Sequence, residues 1–99
     1  MDVIVQHTVR DFDAWKSAFD EHETTRIRHG CLGHTVYRDP DHPNDVTVIM
    51  SWRSRESAED FVRDPSLQEA MEKGGVISEP RVTFVEETET RTYAASRAA

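Results

Sequence analysis

Cysteine, asparagine and lysine are scarce in this 99-residue chain: Cys31, Asn44, Lys16 and Lys73 are the only ones. A single thiol excludes an intrachain disulfide and any multi-cysteine zinc site, and it predicts a reducing, cytoplasmic setting. No apolar run approaches the ~18 residues of a membrane span. Met1-Asp2 leading at once into a strand predicts no signal peptide. Basic runs are also missing. With 19 acidic against 12 basic residues and a net charge of −7, attraction to nucleic acid or to an anionic membrane is excluded. Apolar residues make up only 36%, which suits one small domain whose core would gain from burying more surface in a homodimer.

What is present is strongly periodic. Val3, Val5, His7 and Val9 alternate on one face of a strand predicted over residues 3–10. Asp11 is a good N-cap for a helix predicted over residues 12–29 and stopped by Gly30. Residues 34–38 and 46–52 flank the polar segment Asp39-Pro40-Asp41-His42-Pro43-Asn44 and read as a hairpin. Ser54 caps a helix to about Arg63, and Asp64-Pro65 restarts a helical turn ending at Gly74-Gly75. A last strand is predicted over residues 81–87. Residues 1–87 thus form the domain, and the polar segment 88–99 is a mobile tail or an arm to a partner subunit.

The order β-α-β-β-α-β predicts an α+β, ferredoxin-like fold: an antiparallel four-stranded sheet with helices on one face. Val3, Val5, His7, Val9, Val46, Val48, Met50, Trp52, Val82 and Phe84 would lie beneath the helices. The opposite face mixes Ile4, Ile49 and Val85 with threonines, so a second sheet is expected to cover it in a homodimer. A monomer with an exposed β face is the alternative. Tyr37 belongs to that outer parity.

Along the first helix, Phe12, Trp15, Phe19, His22 and Arg26 recur at helical spacing, apolar first and polar later. From His7 to Asp11 the chain advances about 13 Å as strand. A helix returning at about 1.5 Å per residue reaches that level near residues 19–22. His7 and His22 are therefore expected as neighbours on a pocket wall. In the competing account, His7 is a core histidine satisfied by a carbonyl or water, and His22 and Arg26 merely edge the stripe.

If the chain is an enzyme, His7 is the expected general base, an imidazole able to take a proton from an acidic C–H or phenol. Arg26 would stabilise the resulting enolate or phenolate, and His22 would orient His7 or relay its proton. Trp15, Phe19, Met50, Trp52 and Phe84 are the candidate substrate-binding residues, giving an aromatic ligand apolar walls. No cofactor and no metal are expected. His7, His22 and His34 could converge only if the second strand's register turns His34 toward the helices. The acidic groups Asp20-Glu21-Glu23 and Glu56-Glu59-Asp60 read as solvated helix faces.

Val5-x-His7-x-Val9-x-Asp11-Phe12-x-x-Trp15-Lys16-x-x-Phe19-Asp20, the Asp39–Val48 hairpin, Ser66-Leu67-Gln68-Glu69-Ala70-Met71 and Gly75-Val76 resemble antibiotic biosynthesis monooxygenase-like proteins of the dimeric α/β barrel superfamily. The resemblance covers residues 3–87 and implies a dimer with a small-molecule cavity between sheet and helices in each subunit. Haem-degrading members use a histidine after the third strand, with an asparagine and a tryptophan; here no histidine follows His42, although Trp52 is present. Cofactor-independent oxygenases of the superfamily act on aromatic polyketide intermediates. A polyketide cyclase branch carries a histidine on the first strand, a position His7 matches, but its later Tyr/His pair has no counterpart. Oxygenation and proton-transfer cyclisation thus both stay open, beside a non-catalytic small-molecule-binding homodimer and a purely structural dimer.

Overall fold

β1 (Asp2–Thr8), the strand carrying His7, lies inside the sheet rather than at its edge. In the computed structural model, which describes residues 1–95, it pairs antiparallel with β3 (Asp45–Trp52) on one side and β4 (Arg81–Val85) on the other. β2 (Cys31–Arg38) pairs antiparallel with β3, giving the order β2-β3-β1-β4. The register sets Val3 against Met50 and Phe84, Val5 against Val48 and Val82, and His7 against Val46. These residues share one face because parity is preserved across each antiparallel pair. Val3, Val46, Val48, Met50 and Trp52 are buried there against Trp15, Ala58 and Phe61. The architecture is the predicted four-stranded, ferredoxin-like α+β fold.

The predicted single helix over residues 12–29 is two: α1 (Phe12–Glu21) and α2 (Glu23–Arg28), interrupted at His22 with φ −86° and ψ 0°. Two effects act at this point. The Arg26 side chain donates Nη1–H to the Phe19 carbonyl at 2.8 Å, loading an oxygen that the His22 N–H also reaches at 3.2 Å. The β-branched pair Thr24-Thr25 adds a local helix penalty. Asp11 caps α1 as expected, its carboxylate accepting from the Ala14 N–H at 2.9 Å. Gly30, at φ 98°, ends α2 in a conformation that a side chain would strain.

Ser54 caps α3 (Arg55–Val62), and Asp64 caps α4 (Pro65–Lys73), which ends at Gly74 as expected. None of the α4 residues is fully buried. β4 stops at Val85 rather than residue 87 because Val85 pairs with Asp2, the first residue of β1, and no strand continues beyond it. Val9 leaves the β1 ladder and forms an isolated bridge with Val76. Asn44 explains that corner: its Oδ1 accepts from the Phe12 N–H at 3.0 Å, and its Nδ2 donates to the Arg10 carbonyl at 3.2 Å. The lone asparagine is therefore a staple between hairpin and helix. Residues 88–95 are exposed and carry no helix or strand; the remainder of the predicted tail lies outside the described residues. Among the described residues no helix is long and apolar enough to cross a membrane.

Candidate functional site

A cavity of about 250 Å³ lies between the sheet face and the helices. Alternation places His7, Met50 and Trp52 on its floor, while Trp15 and Phe19, one helical turn apart, form a wall. Trp15 and Phe19 are stacked, with ring centroids 5.0 Å apart, and the His7 imidazole meets the Trp15 ring edge-on at 5.7 Å. Of the helical stripe, Trp15, Phe19, His22 and Arg26 line this space, whereas Phe12 does not and packs under the Arg38 guanidinium at 4.6 Å. Phe84 does not line it. That ring lies under the Arg55 guanidinium at 4.9 Å and is partly buried against the core.

Several further residues line the cavity without having been legible as pocket residues in the sequence. Phe61, Leu67 and Met71 close the cavity from α3 and α4. Their apolar spacing was visible, but it marks any packed helix and carries no sign of a cavity.

The polar groups are unusual in being buried without partners. His7 Nδ1, Arg26 Nη2 and Trp52 Nε1 are the buried side-chain polar atoms lacking a protein hydrogen-bond partner among the described residues. All three residues line this one cavity. Buried polar atoms normally find partners, because leaving one unpaired costs about 1–3 kcal/mol. Three cavity-lining residues thus each carry a buried polar atom whose hydrogen-bonding capacity is unspent. Burial pushes the His7 pKa below the ordinary imidazole value, which keeps the ring neutral at neutral pH. Arg26 is 2% exposed, and its guanidinium lies 3.7 Å from the Phe19 ring centroid.

His22 departs from its expected role. Its Nε2 is 2.9 Å from Ser66 Oγ, and its ring packs on Phe61 at 5.7 Å, so its hydrogen bond serves α4 and not His7. Burial first, then the nearby Arg26 charge, lowers its pKa. The register does turn His34 to the helix side, opposite Met50, where it meets Phe19 edge-on at 4.9 Å. Even so, among the described residues no three metal-ligating side chains converge.

His29, the C-cap of α2, is likewise held by a side-chain contact. Its Nε2 lies 2.7 Å from Asp64 Oδ2, while Asp64 Oδ1 accepts from the Ser66 N–H at 2.8 Å. Both ends of α2, His22 and His29, are thereby tied to the first turn of α4, which covers the cavity. The His29 hydrogen bond, then the Ser66 N–H, hold the Asp64 carboxyl at about 2, well below the ordinary carboxylate range. A depressed carboxylate pKa stabilises the fold above the unfolded value and loses that contribution as pH falls through the folded one. Between about pH 4 and pH 2, the melting temperature should therefore fall less steeply in Asp64→Asn than in the parent. Thermal melts across this range check it; parallel curves would remove Asp64 from the acid response.

Comparison with known proteins agrees with this fold. No curated protein matches the chain in sequence. Among solved structures, a Bordetella bronchiseptica protein described as an antibiotic biosynthesis monooxygenase superposes with TM-score 0.77 at 17% identity, covering 89% of this chain and 96% of its own. SnoaB, a cofactor-independent oxygenase from Streptomyces nogalater, gives TM-score 0.69 at 19% identity over 88% and 93%. A Nitrosomonas europaea protein described as an antibiotic biosynthesis monooxygenase gives 0.70 at 14% over 88% of each chain. At such identities these likenesses speak to the fold alone. The sequence pattern of the family described as antibiotic biosynthesis monooxygenase, however, matches residues 10–73, from the start of the cavity wall to the end of its α4 cover. On that match the chain belongs to the antibiotic biosynthesis monooxygenase family.

Proposed function

We propose that this protein is a cofactor-independent small-molecule enzyme acting on an aromatic or polyketide-like substrate, with His7 as general base. The observation that carries the reading is a buried, neutral imidazole with an unpartnered Nδ1 in a cavity walled by aromatic rings. In the tautomer protonated on Nε2, Nδ1 accepts a proton from an acidic C–H or phenol. The resulting anion can then react with dioxygen or close on a carbonyl of the same molecule. Trp15, Phe19, Trp52 and Phe61 supply flat apolar surface for such a substrate. SnoaB, a family relative by fold, is a cofactor-independent oxygenase, which favours oxygenation over cyclisation. The protein works as a homodimer through the open sheet face, where Ile4 and Ile49 are only half-buried within one chain.

A second reading has its own support. A catalytic imidazole is ordinarily oriented by a further group, and the hydrogen bond of His22 goes to Ser66 instead. A non-catalytic binding homodimer would need no such orienter. Native mass spectrometry of protein from its own source, followed by oxygen-uptake and product analysis on any retained molecule, separates the two. Retained organic mass that is consumed with oxygen supports the oxygenase; retained mass returned unchanged supports the binding protein.

A further inference from the structure

We infer that Arg26 is an anion-recognition site at the end of the cavity remote from His7, and that the ligand is a fused-ring aromatic bearing a carboxylate there. The site presupposes the small-molecule cavity proposed above, but not turnover.

Arg26 is almost wholly buried, and only half of its guanidinium is used. Nη1 donates to the Phe19 carbonyl at 2.8 Å, the plane lies over the Phe19 ring, and Nη2 has no protein partner. An arginine serving only to hold the helix break would be expected to spend both arms of its fork. None of the ion pairs among the described residues includes it. The carboxylates whose charge acts on it, Glu23 and Asp20, are both exposed, and Asp20 is paired with Lys16 at 2.6 Å. A guanidinium cannot shed its proton to relieve burial as a lysine can. The charge therefore stays in the wall, and an anion is the occupant that compensates it.

The aromatic ladder fixes where that anion sits. His7 touches the edge of Trp15, Trp15 stacks on Phe19, and Arg26 lies on Phe19. Two aromatic side chains in series thus separate base and guanidinium. Consistent with that spacing, the Arg26 charge depresses the pKa values of His22 and His34 but is not among the causes acting on His7. A cavity of about 250 Å³ accommodates a ligand of about two fused rings lying along this ladder. The carboxylate at Arg26 would then fix which ring position faces His7, making Arg26 a specificity-determining residue.

The test compares 2-naphthoate with 2-naphthamide, nearly equal in shape but different in charge, by calorimetric titration of the full chain at neutral pH. The wild type should bind naphthoate at least about tenfold more tightly. Arg26→Met should erase that preference while leaving naphthamide affinity within about threefold. Arg26→Lys, which keeps the charge but loses the fork, should retain part of it, and this serves if the methionine variant does not fold. Equal affinities in the wild type, or a preference surviving in Arg26→Met, would overturn the anion site and leave the aromatic cavity standing. Binding of neither probe would overturn both.

Discussion

His7→Gln should lower turnover by about 10²–10⁴-fold while leaving the protein folded. Glutamine keeps a polar group of similar reach beside Trp15 but offers no basic nitrogen, so proton abstraction is lost and packing is largely retained. Ligand affinity should change little, because the aromatic walls and Arg26 are untouched. The pH profile supplies an independent check. Burial lowers the His7 pKa, so in the parent kcat/KM should fall on acidification through a value below the ordinary imidazole pKa. That limb should be missing from the residual activity of the variant. The same depression has a stability consequence with a definite sign. Folding keeps His7 neutral, so its contribution is present above the unfolded pKa of about 6.5 and is lost as pH falls below it. Unchanged turnover in His7→Gln would exclude His7 as the base. A change in affinity alone would favour the binding protein, and collapse of the fold would assign His7 to the core.

Ile49→Lys should convert the proposed homodimer to a monomer. Ile49 lies at the middle of the open face, paired with Ile4 on β1 and with Thr35 on β2, and it points away from the helices. The substitution leaves the core of the subunit unaltered, so its circular dichroism and the cavity should persist. In a symmetric sheet-to-sheet dimer, however, both copies would bury an ammonium group with no partner. Each such charge costs several kcal/mol after relaxation, and the two penalties fall on one association step. Sedimentation at micromolar protein should report a dimer for the parent and a monomer for the variant. A variant that stays dimeric would move the interface off this face, and a monomeric parent would remove it.

The two experiments read different layers of the molecule, and those layers were unequally legible. Strand faces followed from alternation at Val3, Val5 and His7, and helix starts followed from Asp11, Ser54 and Asp64. Gly30 marked a helix end. Each of these signals acts within a few residues, through side-chain alternation or a capping hydrogen bond, and needs no knowledge of the rest of the chain. They sufficed for the topology and for the expectation that a stripe ending in His22 and Arg26 forms a wall.

The chemistry of that wall was settled at longer range. His22 finds Ser66 across 44 residues, His29 finds Asp64 across 35, and neither pairing has a periodicity to announce it. Arg26 folds back onto Phe19 only because the helix breaks at His22, and the break itself involves the guanidinium. Phe84, with the parity of a cavity residue, lies outside the cavity lining with the Arg55 guanidinium over its ring. His34 turns inward because the hairpin register pairs it with Met50. Periodicity therefore determined which faces are apolar, since that depends on backbone geometry repeated every few residues. Only the tertiary structure decided which polar atoms go unpaired inside, because that depends on where distant elements place their side chains.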